Sequence, residues 1–172
     1  MNSQYEFTHN VFLDTCAFNP SDPIEQKASF QILKWAEQLV LVLILPYSVL
    51  KELDHPRTPP SVKEEALKHV FTKEVSLDGK QLKKLRAIES VIVGKGKKNK
   101  YKNDALNVFI SDDSGEYFIT TDKRLIKRSR QIREISDGIK ICKPTELIKI
   151  VEDDRKFQIE HKKRMDKLQG KD

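Results

Sequence analysis

The chain is expected to fold as an α/β domain: three layers, α/β/α, around a central parallel sheet of four or five strands. Three observations lead there. Short apolar runs (VFLD, LVLVLIL, YFITTD, IKIC) alternate along the chain with segments of helical spacing. Each run is separated from the next by at least a helix, as parallel crossovers require. The run from Leu39 to Leu45 is unbroken by any polar residue, which suits a strand covered on both faces. With 172 residues, the chain is one domain's worth and long enough to bury roughly 70% of its unfolded surface.

Taken in order, Val11 to Leu13 forms the first strand and stops at Asp14. The turn-forming AFNPSDP follows. In IEQKASFQILKWAEQ and just beyond, Ala28, Ile32, Trp35, Ala36 and Leu39 recur at spacings of three and four, giving one buried helical face. After the strand Leu39 to Leu45, Pro46 suits the first turn of a new helix, with Glu52 about one and a half turns in. Pro56, Pro59 and Pro60 make HPRTPPS a connector. SVKEEALKHVF and KQLKKLRAIESVIV both carry helical spacing, and GKGKKNKYKN is a basic loop. Asn103 or a near neighbour caps the next helix, DALNVFIS, which breaks at DDSG, so Asp112 and Asp113 read as turn residues. EYFITTD supplies the third strand, KRLIKRSRQIREI a helix ending near Gly138, IKIC the fourth strand, and Pro144 opens PTELIKIV. The domain is placed at 1–151, with 54–102 its helical and basic-loop region. Residues 152–172 form a charged extension of seven basic and six acidic side chains, either an exposed helical extension or frayed, to which no chemistry is assigned.

Composition narrows the class of function. Apolar residues make up 38% and charged residues 34%, a globular balance. Cys16 and Cys142 have no CxxC spacing, and MNSQYEFTHN has no apolar signal region, so a reducing cytoplasm is the simplest setting. The longest apolar run is too short to cross a bilayer as a helix, and no membrane partner is expected. The net charge of +6 is unevenly spread: KGKKNKYK has five lysines and KRLIKRSRQIR six basic residues, neither with an acid. An anionic polymer is the natural partner. Lys95, Lys97, Lys98, Lys100, Lys102, Lys123, Arg124, Lys127, Arg128 and Arg130 are the candidate phosphate contacts, with Tyr101 placed to stack on a base. The bland alternative is two solvated surfaces.

Between those basic segments, four acids punctuate the apolar elements: Asp14, Glu52, Asp104 and Asp122. A parallel sheet gathers its carboxyl ends into one crevice, and carboxylates converging there repel one another unless divalent cations neutralise them. Each also has a plainer reading. Asp14 could begin a turn, Glu52 could be an exposed helix residue, and Asp104 could be only an N-cap; Asp122, where an apolar strand emerges, has the strongest local case. Zinc-type His/Cys spacing, a P-loop and a nucleophile elbow are all missing from the sequence, so hydrolysis by these acids would need hard metal ions such as Mg²⁺ or Mn²⁺. A haloacid-dehalogenase phosphatase would need an acid where Cys16 stands. Receiver domains need an acidic pair that does not precede Asp14.

VFLDTCAF, the glutamate of VLKEL, the DA pair opening a helix, and ITTDKRL occur in the order and context of the PIN-domain nucleases, which the chain resembles from about Val11 to Val151. The resemblance implies a parallel sheet with flanking helices and a metal-dependent nuclease, most simply an endoribonuclease acting on single-stranded or structured RNA. It implies Asp14, Glu52, Asp104 and Asp122 as catalytic, metal-binding acids around one or two Mg²⁺ or Mn²⁺ ions. Thr120 or Thr121 would support Asp122 through a hydroxyl. On its own chemistry, Thr15 is small and polar and could hydrogen-bond Asp14 or simply cap the loop. Toxins of toxin–antitoxin pairs resemble the chain too, so an antitoxin, another protein regulator or a second copy of the chain are candidate partners. The alternative is a catalytically silent PIN-like module that binds nucleic acid or protein.

Overall fold

The computed structural model describes residues 9–46, 49, 56, 58, 60–68, 70–71, 77–94, 96 and 101–169. Its strands are β1 (His9–Leu13), β2 (Leu41–Pro46), β3 (Val70–Phe71), β4 (Tyr117–Ile119) and β5 (Lys140–Cys142). Its helices are α1 (Thr15–Phe18), α2 (Pro23–Glu37), α3 (Pro60–Leu67), α4 (Gly79–Val93), α5 (Lys102–Ser114), α6 (Lys123–Ile135) and α7 (Pro144–Leu168). Each strand pairing is parallel, in the order β3-β2-β1-β4-β5. Four strands carry the sheet, and β3 is a two-residue addition at the end of β2.

Strand alternation divides the core into two layers. Val11, Leu13, Leu43, Leu45 and Ile119 pack with Ile32 and Trp35 of α2 and with Leu147 and Val151 of α7. On the other face, Phe12, Phe118 and Ile141 pack with Ile88 and Ile92 of α4, Val108 of α5 and Leu125 and Ile132 of α6. Phe12 and Phe118 are fully buried, each contributing about 1.5–3 kcal/mol relative to exposure. The first layer is locked by Glu25, whose buried carboxylate accepts from the Thr145 amide at 3.1 Å and the Thr145 hydroxyl at 3.0 Å. Its charge sits at the positive end of α7.

The sheet order also fixes where a crevice forms. From β1 the chain builds β2 and β3 to one side, then returns to build β4 and β5 on the other, so the winding reverses between β1 and β4. Ligands of open α/β sheets bind at the carboxyl ends of the strands flanking such a reversal.

Several element boundaries differ from the sequence reading. Leu39 does not extend the buried face of α2: the helix ends at Glu37 and Leu39 turns away with φ 57°, 78% exposed. The start of the expected turn after Asp14 is the short helix α1. Pro46 closes β2 instead of opening a helix, and Val70–Phe71 leaves helical conformation to pair with Leu45 and Pro46 on the open edge of β2. Helix α5 has Tyr101 at its cap position, so Asp104 stands inside the first turn and is not the N-cap. The same helix runs on through Asp112 and Asp113, which are not turn residues. Asp112 is held there because it accepts from the amides of Asp137 (3.0 and 2.9 Å) and Ile139 (3.2 Å) and pairs with Lys84 Nζ at 2.5 Å. The charged extension takes the exposed helical form: α7 continues to Leu168, and Val151 is its last buried residue. Among the described residues no helix is long and apolar enough to cross a membrane.

Candidate active site

Register sets the neighbours at the crevice. Leu13 lies opposite Ile119, so Asp14 and Thr120 leave the sheet side by side, on the α4–α6 side by strand alternation. The Asp14 amide donates to the Ile119 carbonyl at 2.9 Å, and the Thr120 amide to the Cys142 carbonyl at 3.0 Å. From that position the Thr120 hydroxyl donates to Asp14 Oδ2 at 2.6 Å and accepts from the Asp122 amide at 3.1 Å. One buried threonine thereby ties the first acid to the backbone of the second.

Both strand-end acids also start helices. Asp14 Oδ1 accepts from the Thr15 amide at 2.8 Å and caps α1, and Asp122 Oδ1 accepts from the Arg124 amide at 2.6 Å and caps α6. Capping therefore coexists with a place in the crevice, because each carboxylate commits one oxygen to its helix and keeps Oδ2 for other contacts. Asp104 reaches the same region from the first turn of α5. Arg124 Nη1 lies 3.8 Å from Asp104 Oδ2 and 4.0 Å from Asp122 Oδ2, and the guanidinium carbon sits 3.7 Å from the centre of the Tyr101 ring.

Burial pushes the Asp14 carboxyl above its ordinary value, against hydrogen bonds from Thr120, Cys16 and Thr15, and repulsion from Asp122 adds to the rise. Cys16 completes the ring around Asp14: its thiol donates to Asp14 Oδ2 at 3.1 Å, lies 3.2 Å from Thr120 Oγ1 and accepts from the Thr121 amide at 3.3 Å. Burial and the neighbouring Asp14 charge push that thiol up to about 11, so it stays a protonated donor at neutral pH. Thr121 directs its hydroxyl to the Cys16 carbonyl at 3.0 Å, leaving Thr120 as the threonine whose hydroxyl meets Asp122. Nothing in the sequence distinguished Cys16 beyond its place two residues after a strand-end acid.

Glu52 lies outside the described residues, as do Lys95, Lys97, Lys98 and Lys100. Of the remaining basic candidates, Lys102, Lys123 and Lys127 are exposed. Arg130 is exposed and paired with Glu134 at 3.2 Å. Arg128 is committed elsewhere: its guanidinium donates to the Val91 carbonyl and to that of Ile92 at 2.6 Å, satisfying the end of α4. A cleft of about 820 Å³ runs beside the acids, lined by Ser90, Val91, Gly94, Lys123, Arg124, Lys127, Arg128 and Gln131.

Among the described residues, no three acids, histidines or cysteines stand close enough together to enclose one ion. The donor chemistry nevertheless fits a hard divalent cation. Asp14, Asp104 and Asp122 offer oxygen ligands, the latter two already share a positive charge, and burial disfavours the charged form of Asp14, a cost that a cation would offset. No protein-family model matches the sequence, and comparison with curated proteins gives no match. Fold and site together define an α/β protein with an acidic crevice at the reversal of its sheet and a basic cleft alongside.

Proposed function

We propose that this chain is a divalent-metal-dependent nuclease of PIN-domain type that hydrolyses phosphodiester bonds, with RNA as its substrate class. One observation carries the reading: Asp14 and Asp122 follow the two strands that flank the sheet reversal, Asp104 of α5 shares Arg124 with Asp122, and exposed lysines rim the adjoining cleft. Asp14, Asp104 and Asp122, with Glu52, would hold Mg²⁺ or Mn²⁺. When bound, such ions activate the attacking water and neutralise the charge that develops on the leaving oxygen. The chain's own residues do the positioning. Thr120, Cys16 and Thr15 hold the Asp14 carboxylate through hydrogen bonds, and the start of α6 holds Asp122. Lys123 and Lys127 would attract the phosphate backbone without reading its sequence.

The test is cleavage of labelled single-stranded RNA and single-stranded DNA in parallel, with Mg²⁺, Mn²⁺ or EDTA, by the wild type and Asp122→Asn. Metal-dependent cutting of RNA that disappears in the variant is the expected result. Binding without cutting under every metal condition would point instead to a recognition module.

A further inference from the structure

We infer that Arg124 is a built-in competitor for the cation of the acid crevice, and that a nucleic-acid phosphate in the adjoining cleft draws it away. This rests on the metal-nuclease reading above and adds to it a coupling between the polymer and the metal. The guanidinium stands where three environments meet. On one side it faces Asp104 at 3.8 Å and Asp122 at 4.0 Å, separations beyond direct hydrogen bonding. Beneath it lies the Tyr101 ring, and on its other side the basic cleft, of which it forms part of the wall.

The two arginines of α6 that line the cleft are held differently. Arg128, one turn further on and lining the same cleft, is bound through Nη1 to two carbonyls at the end of α4. Releasing it would leave those carbonyls without that partner. Arg124 holds its carboxylates only by long coulombic contacts, so a better partner can displace them. A phosphate is such a partner, since a guanidinium binds it through two parallel, charge-assisted hydrogen bonds. With Arg124 in its observed place, an incoming divalent ion meets a positive charge already beside Asp104 and Asp122. With Arg124 turned onto a phosphate, its positive charge is withdrawn from both carboxylates. Metal and polymer therefore bind with positive coupling, and linkage requires that each tighten the other by the same factor.

The experiment is isothermal titration of Mn²⁺ into the full chain, for the wild type, Arg124→Gln, Arg124→Lys and Asp122→Asn. Each titration is run with and without a short single-stranded phosphorothioate oligoribonucleotide, so that the readout is binding and not turnover. Removing the guanidinium charge should tighten Mn²⁺ binding about three- to tenfold in the absence of polymer, the range expected from two partly exposed ion pairs. Arg124→Lys should stay near the wild type. The oligonucleotide should tighten Mn²⁺ binding in the wild type and change it little in Arg124→Gln. Equal or weaker Mn²⁺ binding by Arg124→Gln overturns the competitor; if the wild type still binds Mn²⁺ and Asp122→Asn does not, the metal site survives without it. Failure of both the wild type and Arg124→Gln to bind Mn²⁺ overturns the metal site and this inference together.

Discussion

Asp112→Ala should destabilise the fold by about 3–5 kcal/mol while leaving the acid crevice intact. Asp112 lies near the opposite end of α5 from Asp104, with its side chain 1% exposed. Its carboxylate is the acceptor for the amides of Asp137 and Ile139, which shape the turn between α6 and β5. Truncation removes that acceptor from both amides, at about 1–3 kcal/mol each, the buried Ile139 amide at the upper end and the part-buried Asp137 amide at the lower. Loss of the Lys84 pair adds under about 1 kcal/mol, because Lys84 is 22% exposed and keeps Asp137 at 2.6 Å. Burial lowers the Lys84 pKa, but hydrogen bonds to Asp112 and Asp137 outweigh it and raise the ammonium above its ordinary value. The stability from that shift is present below the unfolded-state value and is lost only as pH rises through the folded-state value, so it is intact at neutral pH. For a domain of this size the melting temperature should fall by about 6–20 °C. Asp112→Asn, which keeps one acceptor oxygen, should lose about 1–2 kcal/mol. Asp137→Ala, with a side chain 81% exposed, should lose under about 1 kcal/mol. Urea unfolding followed by circular dichroism measures all three. A loss below about 1 kcal/mol in Asp112→Ala, or an equal loss in Asp137→Ala, would refute the reasoning.

At the crevice, Asp14→Asn should melt higher than the wild type at pH 7. The folded-state pKa of Asp14 is raised, so ionisation opposes folding at neutral pH; the difference should shrink as pH falls through that value, and a lower melting point in the variant would contradict it. Millimolar Mn²⁺ should raise the melting temperature of the wild type and leave Asp14→Asn unmoved. Thr120→Val should reduce metal-dependent turnover roughly 10- to 100-fold, the usual cost of losing a hydrogen-bond partner of a ligand, and unchanged turnover across a Mn²⁺ titration would contradict that. Gly115→Ala should cost about 1–3 kcal/mol. A Cβ there would lie 2.5 Å from the fully buried Phe12 ring and 3.1 Å from the Ser111 carbonyl, and a urea midpoint equal to that of the wild type would show that the ring yields.

How much of this was legible in the sequence depends on where the information lies. The strands at Val11, Leu41, Tyr117 and Lys140 announce themselves as apolar runs, and their parallel pairing follows from the helices between them. Asp14 and Asp122 are also visible, because an acid at or just past the end of a buried strand stands near its carboxyl edge. What composition and spacing do not carry is partner choice. Asp112 beside Asp113 and Ser114 looks like a turn, and only the amides of Asp137 and Ile139, brought over by β5, make it a buried helical residue. Arg124 and Arg128 are one turn apart in one basic segment, yet the end of α4 captures the second and the acids share the first. Cys16 is silent for the same reason: its role comes from Thr120, more than a hundred residues away.

The measurement closest to the central claim is single-turnover cleavage of labelled single-stranded RNA by wild type and Asp14→Asn, each checked for folding by circular dichroism, in Mn²⁺ and in EDTA. The metal-nuclease account expects cutting by the wild type in Mn²⁺ alone and a drop of about 100-fold or more in a folded Asp14→Asn, beyond what a lost hydrogen-bond partner of a ligand costs. Cutting that persists in EDTA, or a folded Asp14→Asn with wild-type rates, would contradict it.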